Sequence, residues 1–140
     1  WESFVRAHRF IASRVDAALQ EAHHLSLMWF EALVQIDRAD NPLRMHELAD
    51  RLLLSRSAAS RFVDRLEENG LVRRRLSQED RRGMEVSLTP SGHERLGMAR
   101  HTHARCVRAY FLDHLDEDGL DTLNSALSRV LEDSDGLMTQ

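Results

Sequence analysis

Arginine and hydroxyl side chains crowd one stretch of this 140-residue chain. Arg56, Ser57, Ser60, Arg61 and Arg65 open it, Arg73, Arg74 and Arg75 follow as a run, and Asp80, Arg81 and Arg82 close it. An arginine fork grips a phosphate or a guanine edge with two parallel hydrogen bonds, and serine is small enough to let a backbone approach the same target. That is chemistry for a polyanion. Residues 51–82 carry nine arginines against five acids, a local charge of +4 inside a chain of net charge −4. A basic patch between acidic flanks confines polyanion binding to one face, whereas the plain alternative is a solvated helix surface.

The other reactive residues carry less. Eight histidines invite a metal reading, but no His-x-x-x-His pair occurs, and His101 and His103 would point about 200° apart on a helix. A zinc site would have to gather three or four of His8, His23, His24, His103 and His114 across helices or subunits. No metal is therefore expected, with that histidine set as the alternative. Cys106 is the single cysteine; on a buried stripe it acts as a small hydrophobe rather than a redox sensor. No Gly-x-Ser-x-Gly, phosphate loop or His-Glu-x-x-His is present. An enzyme would have to use Asp and His of the acidic C-terminal half, whose carboxylates fall at expected helix caps, so no enzyme and no required cofactor is expected.

The elements that must position the basic stretch follow from periodicity. Apolar residues make up 42% of the chain and charged residues 30%, with 6 Gly and 2 Pro, which fits a helix-rich folded unit. Phe4, His8, Ile11, Val15, Ala18 or Leu19, and Ala22 predict an amphipathic helix over about residues 2–22. Ser26 predicts the cap of a strongly apolar second helix ending near Asn41-Pro42. Met45 to Leu54, with Leu48, Ala49, Leu52 and Leu53 on one side, predicts a short third helix. Ser55 then caps a fourth over Arg56 to Asn69, with Gly70 just past its end. Two short helices with a tight junction form a helix-turn-helix. Period-two alternation in Val72 to Leu76 and Met84 to Leu88 predicts a two-stranded hairpin with a charged tip. Thr89-Pro90 starts a long fifth helix with a stripe running from Leu96 to His114, and Asp116 caps a sixth with Leu120, Leu123, Leu127 and Val130 or Leu131 inside.

This order, together with Leu48-Ala49, Ser55-Arg56-Ser57-Ala58-Ala59-Ser60-Arg61, Leu66-Glu67-Glu68-Asn69-Gly70-Leu71-Val72, Asp80-Arg81-Arg82 and Leu88-Thr89-Pro90-Ser91-Gly92, resembles the multiple-antibiotic-resistance regulator (MarR) family of bacterial winged-helix repressors. The resemblance covers nearly the whole chain in element order and residues 44–96 in motif detail. It implies a mainly α, winged helix-turn-helix fold as one unit over 1–140, with a DNA-binding region over 25–89 and dimerisation helices over 1–24 and 90–140. It also implies a homodimer, double-stranded palindromic DNA as partner, and a small-molecule effector. A winged helix that binds only proteins is the alternative, which the arginines at the wing tip argue against.

On the fourth helix, Ser57 and Arg61 oppose the apolar face, with Ser60 on the flank. Asp64 and Glu68 follow further along, so the N-terminal end is expected to enter the groove, with Asp64 holding Arg61 across an i, i+3 contact. Arg56 and Arg65 extend the same surface, Arg74 occupies the family's position after Gly-Leu-Val-x, and Asp80 is expected to orient Arg82 toward a minor groove. For the effector, His8, Arg14, Trp29 and Phe30 are the candidates, Arg14 clamping the carboxylate of an aromatic acid. Core or interface packing is the simpler reading of Trp29 and Phe30. No apolar run approaches the roughly 18 residues of a membrane span, and no basic-then-apolar leader opens the sequence, which starts at Trp1 and reads as trimmed. A reducing bacterial cytoplasm, at the nucleoid, is the expected compartment.

Overall fold

The three- and four-residue spacing of the opening apolar residues forms α1 (Glu2–His23) in the computed structural model, which describes residues 1–39, 42–77 and 83–137. Val15 and Leu19 are its buried residues, while Phe4 and Phe10 stay about half exposed. His24 ends the helix in a left-handed conformation, φ 52°, with its N–H donating to the Gln20 carbonyl. Ser26 caps α2 (Leu27–Asp37), its Oγ accepting from the Trp29 N–H at 3.1 Å, and Asp16 of α1 accepts from the Leu27 N–H at 2.7 Å. A carboxylate from one helix thus satisfies an orphan donor at the positive end of the next and fixes the angle between them. Phe30, Ala32, Leu33 and Ile36 are buried, and α2 packs against α1, α3, α5 and the sheet.

The sheet has three strands, where the alternation predicted two. β1 (Leu43–Arg44), β2 (Val72–Leu76) and β3 (Met84–Leu88) lie in the order β1-β3-β2, all antiparallel. Leu43 pairs with Val86 and Val72 with Leu88. A two-residue strand is too short to show alternation; Leu43, only 3% exposed, is held there by the core beneath it.

The third helix is also shorter than its periodicity predicts. α3 (Met45–Arg51) starts where Glu47 accepts from the Arg44 N–H at 3.0 Å and stops before Leu53. Leu53 takes a left-handed conformation, φ 53°, and is 82% exposed rather than packed beside Leu48. That turn delivers Ser55 to the start of α4 (Arg56–Glu68), where its Oγ accepts from the Ala58 N–H. Ala59, Phe62, Val63 and Leu66 bury the inner face of α4, as their spacing requires.

Two glycines tie α4 to the next helix. Gly70, φ 69°, reverses the chain after α4. Thr89 then caps α5 (Pro90–Tyr110), accepting from the Gly92 N–H at 2.9 Å while its own hydroxyl reaches the Gly70 carbonyl at 2.6 Å. Gly92 lies so close to the Leu71 carbonyl that a Cβ there would collide with backbone. The buried face of α5 is Leu96, Ala99, Thr102 and Cys106. The helix ends at Tyr110, so His114 falls in the 3₁₀ turn Leu112–His114, exposed and off the predicted stripe. Asp116 accepts from the Gly119 N–H at 2.9 Å at the start of α6 (Glu117–Leu137), on which Val130 and Leu131 are each 65% exposed. No helix among the described residues is long and apolar enough to cross a membrane.

Candidate nucleic-acid interface

The basic stretch folds into one surface made by the start of α4, the start of α3 and the sheet. Arg56, Ser57, Ser60, Arg61 and Arg65 are all solvent-exposed. Arg56 and Ser60 line a cleft of about 460 Å³ with Arg44, His46, Arg74 and Met84. Ser57, Arg61 and Arg65 lie on the rest of the exposed α4 surface. Among the described residues no carboxylate is within ion-pair distance of Arg56, Arg61 or Arg65. Their charge stays available to an incoming anion.

The carboxylates on α4 are handled differently from the expected Asp64–Arg61 contact. Arg74 Nη1 meets Asp64 at 2.6 Å, and Arg74 Nη2 meets Glu67 at 2.8 Å. The Arg74 backbone N–H also donates to Glu67, at 2.8 Å, and its Nε at 2.9 Å. The backbone hydrogen bond and then the guanidinium hold the Glu67 carboxyl below its ordinary pKa. Asp64 turns toward β2 because the Arg74 guanidinium, already held in place by Glu67, offers a better-ordered donor than an exposed i, i+3 pair on its own helix. The negative charge on the second half of α4, which also carries Glu68, is thereby offset in part, and the first half is left cationic.

Strand alternation divides the three consecutive arginines. Arg74 points to the α4 side, whereas Arg73 donates to Ser87 Oγ at 3.3 Å, and Arg75 faces Glu85 at 3.7 Å. Glu85 also meets Arg44 at 3.7 Å. Asp80, Arg81 and Arg82 lie outside the described residues. Sequence reasoning missed Arg44 and His46 as neighbours of the surface; their only signal is their position at the start of α3.

The effector candidates do not converge. A second cleft, of about 510 Å³, opens between α1, α2, α5 and α6. His8 lines it and stacks on Phe4, with ring centroids 6.5 Å apart. Arg14 instead lies over the Phe10 ring, 5.3 Å from its centroid. Phe30 is buried and stacks on His103 at 4.5 Å, and Trp29 packs half-buried against the core. The cleft wall includes Glu31 and His103, which sequence reasoning passed over as ligand contacts. A lone carboxylate inside the apolar run from Met28 to Ile36 was the available signal for Glu31.

The histidines scatter as well. His23 Nε2 bonds Thr102 Oγ1 at 2.8 Å, His24 ends α1, and burial lowers the pKa of His103. Among the described residues no group of three or more His, Cys, Asp or Glu is placed to hold one metal ion.

With this geometry in hand, comparison with known proteins is informative. Residues 23–83 match the model of the MarR family. The transcriptional repressor MprA of Escherichia coli K12 is 30% identical over 116 residues, a match covering 79% of this chain but 66% of that protein. The structure is similar to that of AbsC, a MarR family transcriptional regulator from Streptomyces coelicolor, with TM-score 0.92 and 30% identity over 97% of this chain and 92% of that one. It is also similar to Sco3205, a MarR family transcriptional regulator of the same organism in complex with DNA. There the TM-score is 0.89 and the identity 32%, over 94% of this chain and 86% of that one.

Proposed function

Because the chain belongs to the MarR family of transcriptional regulators, we propose that it is a repressor that binds a palindromic operator as a homodimer and answers to a small effector. Residues 25–89 form the DNA-binding region in this reading, and 1–24 with 90–140 the dimerisation helices. The relatives are regulators rather than enzymes, and the chain is read likewise.

The observation that carries the proposal is the division of charge along α4. Its first half presents Arg56, Ser57, Ser60 and Arg61 without carboxylate partners, while Arg74 occupies Asp64 and Glu67. A helix so arranged enters the major groove by its N-terminal end. Ser57 and Ser60 allow close approach, Arg61 reaches a guanine edge, and Arg56 and Arg65 reach phosphates. Arg74 acts here as the clamp that keeps two carboxylates off the duplex. Arg81 and Arg82 extend the surface to the minor groove, with Asp80 directing Arg82. The exposed apolar side chains Phe10 on α1 and Val130 on α6 support a second copy as the cover of the terminal helices.

Selection from a pool of random duplexes tests the reading. The recovered sequence should be an inverted repeat with half-site centres about one helical turn, about 34 Å, apart. Recovery of no duplex above background at low salt would overturn it.

A further inference from the structure

The cleft between α1, α2, α5 and α6 has walls of Phe4, Ile11, Val15, Val107 and leucines of α6, with polar side chains only at His8, Glu31 and His103. Among the described residues, Glu31 is the one carboxylate on this wall, and no arginine lines it. Among the described residues no hydrogen bond or salt bridge engages that carboxylate, and His8 is its electrostatic neighbour. Glu31 is solvent-exposed yet partly desolvated by its apolar surroundings, so an incoming cation gains somewhat more there than on a carboxylate in open water. We propose that this cleft binds a ligand with an apolar, aromatic-sized body and a single cationic amine, the amine seated on Glu31. The proposal rests on the effector reading above and replaces its acid with a base, since Arg14 is turned toward Phe10 and away from the cleft.

Charge complementarity decides the ligand class. An aromatic acid would bring its carboxylate beside Glu31 with no arginine to offset it, whereas an amine meets an unpaired acceptor. The groups that titrate into the cleft are His8 from α1, Glu31 from α2 and His103 from α5; the α6 contribution is Leu123 and Leu127. Burial raises the Glu31 pKa, with His8 working in the opposite direction, and burial lowers that of His103. His103 therefore stays neutral at ordinary pH and adds no competing positive charge. Amine binding should weaken on acidification, as Glu31, whose pKa burial raises, takes up a proton and loses its negative charge.

Calorimetric titration of the full chain, without DNA, with phenylbutylamine and with phenylbutyrate is the test. The two share a hydrophobic body and carry opposite charges at neutral pH. The amine should bind at least about tenfold more tightly than the acid. Glu31→Gln should remove that preference, and Glu31→Asp should retain it. Equal binding of both compounds, binding of neither because a second copy of the chain fills the cleft, or indifference of the amine to Glu31→Gln would each overturn the proposal. DNA retention, measured in parallel, separates the two readings. Amine binding with the Glu31 dependence but without DNA release supports the ligand class and overturns the effector role; DNA binding without amine binding overturns the ligand class and leaves the regulator reading standing.

Discussion

The middle of the molecule and its two ends solve the burial problem in opposite ways. Between Leu43 and Leu88 most apolar side chains close on themselves: Leu48, Val63, Leu66, Leu71 and Val86 are fully buried, Leu53, Leu76 and Met84 are left exposed in turns and at the outer end of the hairpin, and Asp64 and Glu67 of α4 are paired with Arg74. At the ends, Phe10 of α1 and Val130 of α6 are 50% and 65% exposed. In the proposed homodimer this division has a reason: a reading head must hold its shape before it meets DNA, whereas helices that join two copies must keep their adhesive face uncovered until the second copy arrives.

The sharpest way to break this contrast is at α6. Val130→Glu with Leu131→Glu should leave the secondary structure of the middle intact, convert dimer to monomer in light scattering, and weaken operator binding about a thousandfold by uncoupling two half-sites. A wild-type chain that is monomeric at micromolar concentration would sink the contrast outright. Next in size is Gly92→Ala. The new methyl group collides with the Leu71 backbone, so unfolding in urea should show a loss of about 2–3 kcal/mol.

Substitutions within the reading head should separate recognition from stability. Arg61→Ala should cost about 1–3 kcal/mol per half-site and flatten the preference at one symmetric position. Arg82→Ala should instead lower the salt slope by about one per wing, mostly on operators with A·T-rich flanks. Titrations at several salt concentrations distinguish them, and identical behaviour of the two variants would merge the proposed roles. For Arg74→Ala the readout is stability against pH. Because Arg74 holds the Glu67 pKa down, this pair stabilises the fold above the ordinary carboxylate range and loses its contribution as pH falls through the lower folded value. With Glu67 about a third exposed, the effect should be about 0.5–1 kcal/mol, and Arg74→Ala should flatten that acid limb only in part, because the backbone N–H of residue 74 still holds the Glu67 carboxylate. The smallest change expected is Leu53→Asn, which suits a left-handed backbone better and should raise stability by about 0.5 kcal/mol.

Local signals were legible where one residue does one local job. Ser26, Ser55 and Thr89 cap the helices their side chains announce, and both hairpin strands form where their alternation predicts, though Leu76 and Met84 at their outer end are exposed rather than buried. What stayed hidden depends on partners distant in sequence or on competition between them. β1 is too short to have a period, and Leu53 leaves its predicted apolar face because the turn into Ser55 needs a left-handed residue. Asp64 lies three residues from Arg61 yet pairs with Arg74 across a strand. In the second cleft the sequence highlighted an arginine, whereas the wall presents Glu31, because projection onto one helix cannot tell which neighbours complete a cavity.

The knot formed by Gly70, Leu71, Thr89 and Gly92 joins the end of the reading head to the first turn of α5 with hydrogen bonds as short as 2.6 Å and no room for a side chain at Gly92. Mechanically this is a welded joint at one end of a strut of about 31 Å, taking 1.5 Å per residue over α5. A tilt of the strut of about 6° would carry its other end about 3.3 Å, close to one base-pair step of about 3.4 Å. In the proposed homodimer, small rotations where two copies meet would therefore arrive at α4 as displacements of a whole rung of the duplex, without any bending of the reading head itself.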